Sequence, residues 1–486
     1  MVSDSFAGYE LAGGPDEMFE SGSVRPAYRG LHAQLSGWDR EEYERRQQRS
    51  DLALLNAGIT FTVYADQQGT ERIFPFSLIP RIVSAEEWAT VDAGLSQRVR
   101  ALNLFLLDVY NEGRAVADGV IPSEIVYGSA EFREEMRGFR PPGGVYAHIS
   151  GCDLVRDANG QFVVLEDNLR TPSGVSYVIE NRSVMRRVAP ELFPPEGVAP
   201  IGDYASQLLR TLLEVRPNRE TADGEPTVVL LTPGVYNSAY FEHAYLSQQM
   251  GIPLVEGSDL VVRDDRVYLR STTGLEQVDV IYRRIDDAYL DPEAFNPDSV
   301  LGVPGLLRCY LAGNVTLVNA VGAGVADDKV VYRFVPDLIR YFLNEEPILS
   351  NVETYVGALP ADLAYMEAHA AELVFKPANA SGGYGLVIGP QATTSELQEV
   401  LGAVRADPRG WIAQPLLEFS TIPTFIDGEP RARRADLRPF ILSGDSTWVM
   451  PGGLTRVALR EGSYVVNSSQ GGGSKDTWVL TGATDA

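Results

Sequence analysis

The sequence predicts a mixed α/β and α+β protein of several folding units, and three stretches carry that reading. Residues 227–262 run strand (TVVLL), Thr-Pro-Gly turn, helix, Gly251 and strand (PLVEG), a βαβ unit of an open α/β domain. Residues 152–168 set two apolar strand segments on either side of the turn DANG, which makes a β-hairpin. The C-terminal third opens with a helix near 330–343 and continues as strands and glycine loops.

The remaining elements follow from spacing and composition. Leu95, Val99, Leu102, Leu106 and Val109 recur at helical intervals and end at Gly113, so 93–113 is a core helix. VDVIYRRI at 278–285 adds a strand to the middle domain, and the polar, proline-bearing stretch 197–226 links into it. Residues 1–50, charged but carrying Tyr9, Phe19, Tyr28, Trp38 and Tyr43, form an arm of short helices packed on a neighbour.

Composition bounds the function. The 486 residues are 44% hydrophobic and 22% charged, ordinary for a globular protein. There is no apolar run long enough to span a membrane, and the acidic opening segment has no signal-peptide order. Cys152 and Cys309 form neither a metal spacing nor a disulfide framework, which fits a reducing, cytoplasmic setting. A net charge of −25 argues against nucleic acid or an anionic membrane as partner. An anionic ligand then needs a locally basic pocket. Of the 41 basic residues only Lys329, Lys376 and Lys475 are lysines, as in a genome drifting toward arginine codons. A lysine that survives such a drift marks a place where a compact ammonium serves and a planar guanidinium does not.

Four motifs carry chemistry. In FKPANASGGYG (375–385), Lys376 ends an apolar strand, and Ser381, Gly382, Gly383 and Gly385 form a loop able to close over a phosphate, although a plain flexible hairpin has the same composition. In the 152–168 hairpin, Glu166 and Asn168 share a face because the strand period is two, and Asp153 can lie beside them. Two carboxylates and an amide oxygen suit magnesium; a solvated polar face is the alternative. Asp167 points to the other side. Asp436, Arg438 and Arg456 are presented by RADLRPFIL and the following WVMPGGLTR, where surface arginines are the commoner reading. Last, VVNSSQGGGSK (465–475) is not a P-loop, since the Gly-Lys-Ser/Thr order is absent.

Read from Lys329, the order is lysine, lysine plus glycine flap, the hinge-like strand WIAQPLL (411–417), DLRPFIL, Arg456, then Asn467 with a glycine run. This resembles the ATP-grasp ligases, in which a metal-binding hairpin follows; here that hairpin lies upstream, at 151–174, as in the glutathionylspermidine synthetases. The phrases VLEDNLRTPSGVSY, LTPGVYNSAYFEH, YRRIDD, GVADDK and NSSQGGGSKDTWVL are similar to those of the circularly permuted ATP-grasp type 2 proteins, over roughly residues 10–480. The resemblance implies a circularly permuted ATP-grasp fold: arm and helical region over 1–140, the permuted metal-binding part over 141–196, an α/β pre-ATP-grasp domain over 197–325 and the main ATP-grasp domain over 326–486.

It also implies roles. Lys329 and Lys376 contact ATP phosphates, the backbone near Gln414 and Leu417 contacts adenine, and Ser381, Gly382, Gly383, Gly385 and Asn467 complete the ATP site. Asp153, Glu166 and Asn168 hold magnesium. Arg456 faces the transferred phosphoryl group, with Asp436 and Arg438 positioning substrate or nucleotide. The chemistry implied is activation of a substrate carboxylate as an acyl phosphate, then amide formation with an amine on an amino acid or small peptide. Candidate substrate contacts in the middle domain are Arg283, Arg284 and Glu242; paired arginines clamp a carboxylate or serve as an interdomain salt bridge. The role of Lys475 is open between substrate contact and structure. A nucleotide-sensing or scaffolding relic is the competing class, and a dinucleotide turn at VNAVGAGV (318–325) lacks the required glycine spacing.

Overall fold

The computed structural model describes residues 6, 8–12, 14–63, 70–73, 75–195, 197–217, 225–379, 385–467 and 471–482. A nine-stranded sheet dominates it. Along the hydrogen-bonded path the strands are Thr447–Val449, Phe440–Ser443, Ile149–Arg156, Glu429–Arg438, Leu454–Val457, Gly473–Val479 and Phe76–Val83. Thr421–Ile426 adds to Glu429–Arg438, and Phe162–Asn168 completes the predicted hairpin with Ile149–Arg156. The hairpin is thus built between strands from beyond residue 420, with Leu154 opposite Leu437 and Gly151 opposite Phe440. That is the permuted ATP-grasp arrangement.

Apolar helices cover the sheet. Ala85–Tyr110 is the helix expected at 93–113, begun eight residues earlier by a Ser84–Glu87 capping box. Its Trp88, Val91, Leu95 and Val99 pack on Cys152, Leu154, Val164, Leu437 and Ile441. Val175–Val188 contributes Val178 and Met185 to a second cluster with Phe440, Leu454 and Trp478. The edge strand Phe76–Val83 runs parallel to Gly473–Val479 and is buried at every position, so it lacks the alternation that marks a strand in sequence. The N-terminal helices Arg29–Leu35 and Arg40–Asn56 form the expected arm, and Tyr43 stacks on Phe425 at 3.9 Å.

The middle region is an open parallel sheet in the order Thr316–Val318, Val280–Arg283, Val228–Leu231, Leu254–Val255. The helix Tyr240–Met250 crosses from Val228–Leu231 to Leu254–Val255 and ends at Gly251, whose φ of 69° favours glycine. A smaller antiparallel sheet, Tyr355–Val356, Trp411–Pro415, Leu373–Pro377 and Val387–Ile388, carries Lys376 and packs against Pro360–Ala368 and Thr394–Ala406. Among the described residues no helix is long and apolar enough to cross a membrane.

Candidate active site

The hairpin, the Lys376 sheet and the C-terminal strands enclose one cleft. The cavity itself is narrow, about 140 Å³. Asp153, Glu166, Lys329, Lys376, Gln414, Leu417, Asp436, Arg456 and Asn467 all line it, although the sequence spreads them over more than 300 positions.

At one end the charges are concentrated. Asp153 and Glu166 are direct cross-strand partners, and Asp436 faces Arg456 across the next ladder. Arg456 donates to Asp153 Oδ2 at 2.6 Å and brackets Asp436, with Nε at 3.0 and 3.1 Å from its two oxygens and Nη2 also on Oδ2. Arg438 forks onto Asp153 at 2.5 and 2.8 Å from behind the cleft wall. Burial alone would raise the Asp153 pKa; the two guanidinium groups outweigh it and hold the carboxyl well below the usual range. Burial pushes Glu166 up instead, against the pull of Lys329 at 3.8 Å. Lys376 donates to Gln414 Oε1 at 2.6 Å, and Gln414 Nε2 donates to Thr354 Oγ1 at 2.9 Å. Burial pushes the Lys376 ammonium down to about 8, with Lys329 adding to the fall and Glu166 and Asp153 opposing it.

The other end is apolar. Leu165, Val374, Leu386, Ile388, Phe419 and Val466 offer flat, dry walls, and the backbone groups of Leu416 and Leu417 make no hydrogen bond among the described residues. An aromatic base with a polar edge fits such a slot.

The donor set also fits a divalent cation. Magnesium ordinarily takes one or two carboxylates and completes its shell with phosphates and water. Glu166 and Asn168 lie on one strand face, and among the described residues Glu166 has ion pairs at 3.8 Å on its two oxygens, plus a contact with Asp153. Asp153 retains lone pairs beyond its arginine contacts. Asn168 stands beyond the cleft lining, two residues from Glu166, with its buried Nδ2 unpartnered.

Ser381, Gly382 and Gly383 lie outside the described residues; Gly385, at φ 74°, closes the loop against Pro377. Asp167 faces away, as expected, into a two-bond fork with Arg98 at 2.7 and 2.6 Å.

The substrate candidates are corrected by their surroundings. Arg283 is interior, bonded to the carbonyls of Asn319, Ile285 and Ala320 and paired with Asp287 at 2.6 Å. Arg284 donates to Pro172 O at 2.7 Å and pairs with Glu242 at 3.2 Å. Glu242 in turn accepts from the backbone of Gly174 and Ser176 at 2.7 and 3.1 Å. Both ion pairs lie within the middle region, and the link to residues 172–176 is made by backbone hydrogen bonds to Arg284 and Glu242 rather than by an interdomain salt bridge. Lys475 is 1% exposed, and its Nζ donates to Ser77 Oγ, Ile79 O and Pro423 O at 2.7, 3.1 and 2.9 Å. Its ammonium crosslinks three strands. Lys475→Met therefore leaves two buried carbonyls unpaired at about 1–3 kcal/mol each, and chemical denaturation should register the loss while nucleotide affinity is unchanged.

Two organising residues escaped the sequence reading. Asn319 ends the parallel sheet; its Oδ1 accepts from His148 and Ile149 N–H at 2.8 Å, and its Nδ2 donates to Ile149 O and Leu169 O at 2.7 Å, tying both hairpin strands to that sheet. Asp328 caps the helix that starts at Lys329 and accepts from Ser129 at 2.7 Å and Arg409 at 2.6 Å. Arg409 precedes the strand Trp411–Pro415, so it joins the two lysine-bearing elements. The phrase GVADDK contained Asp328, but its partners lie far away in sequence.

Comparison with known proteins agrees with this architecture. The profile of the circularly permuted ATP-grasp type 2 family matches residues 80–458, and the chain belongs to that family. An uncharacterised protein of Synechocystis is 52% identical over 471 residues, 96% of this chain and 97% of that one. One from Mycobacterium tuberculosis is 53% identical over 467 residues, covering 96% and 84%. A Frankia alni protein provisionally named a glutamate–cysteine ligase is 43% identical over 473 residues, 97% of this chain but 54% of that longer one. Among solved structures, a glutathione synthetase-like effector from Globodera pallida superposes with a TM-score of 0.59 at 12% identity, covering 91% of this chain and 98% of that one.

Proposed function

We propose that the protein is an ATP- and magnesium-dependent carboxylate–amine ligase that activates a carboxylate as an acyl phosphate and joins it to an amine, on an amino acid or small peptide. The observation that carries this reading is the convergence of Glu166 with Lys329 and Lys376 at the charged end of a cleft whose other end is apolar. The Frankia relative's name supports a ligase, though nearly half of that protein lies outside the match.

In this reading the two lysines neutralise the phosphate chain, and the Leu416–Leu417 backbone meets the adenine edge. Arg456, clamped by two aspartates, is held in one orientation toward the phosphoryl group and needs no reorganisation as charge moves. Glu166, Asn168 and Asp153 would hold magnesium, which supplies charge neutralisation on the phosphates when bound.

ADP release against an amino-acid and small-peptide library, with hydroxylamine as trapping nucleophile and mass spectrometry of products, tests the proposal. Carboxylate-dependent ADP and a hydroxamate are expected. Binding of Mg-ATP without phosphoryl transfer to any carboxylate would favour the sensor class instead.

A pH dependence follows from Lys376. Its ammonium is lost as pH rises through about 8, and an anionic ligand favours the protonated form. Nucleotide affinity should fall over that range, with proton uptake on binding above it. Calorimetry in buffers of different ionisation heat measures the uptake; proton-neutral binding of constant affinity between about pH 7 and 9 contradicts it.

A further inference from the structure

A second polar rim adjoins the phosphoryl end of the cleft. Four segments meet there: the loop at 129–133, the chain leaving Asn168, the C-terminal end of the parallel strand Val280–Arg283, and the loop 322–328 that leads into Lys329. Arg170 donates through Nε to Asp327 and through Nη1 to Glu131, both at 3.1 Å. The approach is tight. A Cβ on Gly324 would stand 2.8 Å from Glu131 Oε2 and 3.1 Å from Arg170 Cδ, so the glycine makes room for both side chains. Arg133 pairs with Asp287 at 3.3 Å and Glu131 at 3.4 Å, and Arg283 takes the other side of Asp287.

These pairings leave one acidic and one basic group with spare capacity. Asp286 is exposed, and its carboxylate makes no hydrogen bond or ion pair among the described residues. Arg170 is half-buried, and its Nη2 donates no hydrogen bond among them. The two share this rim: Asp286 adjoins Asp287, which Arg133 links to Glu131, the partner of Arg170. Ligands of open parallel sheets settle at the carboxyl ends of the strands, which is where Asp286 stands. Arg170, for its part, follows Asn168 by two residues, so a ligand held between them has the cleft's phosphoryl end beside it.

We propose that this rim receives the amine substrate, and that this substrate is an α-amino acid or the N-terminus of a short peptide, with Asp286 on its ammonium and Arg170 Nη2 on a carboxylate or carbonyl oxygen. A simple amine offers nothing to Arg170, and a dicarboxylate offers nothing to Asp286. The assignment rests on the ligase reading. In the coupling step the amine, having given up a proton to solvent, attacks the acyl carbon; the new C–N bond forms, the C–O bond to phosphate breaks, and inorganic phosphate leaves.

The experiment compares two acceptors on the carboxylate that the ADP-release screen returns. Hydroxylamine is small, neutral and needs no charged subsite; the free L-amino acids need it, and the matching descarboxy amines keep the nucleophile but offer Arg170 no oxygen. Wild-type enzyme should couple free amino acids better than the descarboxy amines. Asp286→Asn should lower the ratio of amide to hydroxamate by about tenfold or more, the worth of a charged hydrogen bond, through KM of the amino acid. Arg170→Met should lower the same ratio for free amino acids and leave it for the descarboxy amines. Equal coupling of free amino acids and descarboxy amines, or an unchanged ratio in the exposed Asp286→Asn variant, overturns the subsite. A fall in hydroxamate equal to the fall in amide overturns the assignment to the amine. No hydroxamate from wild-type enzyme overturns the ligase reading itself, and the subsite with it.

Discussion

Arg456→Lys is expected to keep most of the nucleotide affinity and to lose turnover by two or more orders of magnitude, about 2.7 kcal/mol of transition-state stabilisation. The geometry explains why a retained charge is not enough. Arg456 uses Nε and Nη2 on Asp436 and Asp153, and only a planar fork can satisfy both aspartates while turning its remaining edge to a phosphoryl oxygen. A lysine ammonium at the same Cβ reaches one aspartate or the phosphoryl group, not both. The comparison residue is Arg438, which forks onto Asp153 but does not line the cleft. Its replacement should raise KM more than it lowers kcat, since it acts by placing Asp153. Rates of ADP release and separate nucleotide titrations distinguish the two patterns; normal turnover of Arg456→Lys with the true substrates would remove Arg456 from the chemistry.

Lys329→Ala and Lys376→Ala should each weaken nucleotide binding at least tenfold, or about 1.4 kcal/mol. Lys376 is held by Gln414, which is itself held by Thr354, so its ammonium waits in one place. Lys329 stands on a separate element, the helix capped by Asp328. Effects on separate elements are expected to add, giving roughly a hundredfold loss in the double variant, unless shared contact with the phosphates couples them. Lys475→Met supplies the control, because that lysine sits inside the sheet. Wild-type affinity in both single variants would sink the assignment.

How much of this was legible in the sequence depends on how far each signal reaches. The hairpin was legible because strand alternation is local: Asp153, Glu166 and Asp167 fall on the faces that period two assigns them. The family's motif order placed the hairpin beside the lysines, and scarcity marked all three lysines. Scarcity alone could not separate them. Lys376 and Lys329 line the cleft, whereas Lys475 is a buried donor to carbonyls from strands some 50 and 400 positions away. Arg283 and Arg284 mislead for a similar reason: a paired arginine at a strand end has one appearance in sequence, and only the positions of Asn319, Pro172 and Glu242 decide what it grips. The strand Phe76–Val83 was missed because burial on both faces removes alternation, and its partner is almost 400 residues downstream.

A structure with magnesium and a non-hydrolysable ATP analogue tests the central claim most directly. The account predicts the adenine between Val374, Ile388 and the 414–417 segment, the β- and γ-phosphates within hydrogen-bond reach of Lys376 and Lys329, and a cation about 2.0–2.5 Å from oxygens of Glu166 and Asn168. A nucleotide bound elsewhere, or bound in this cleft with its metal remote from the 149–168 hairpin, would contradict it.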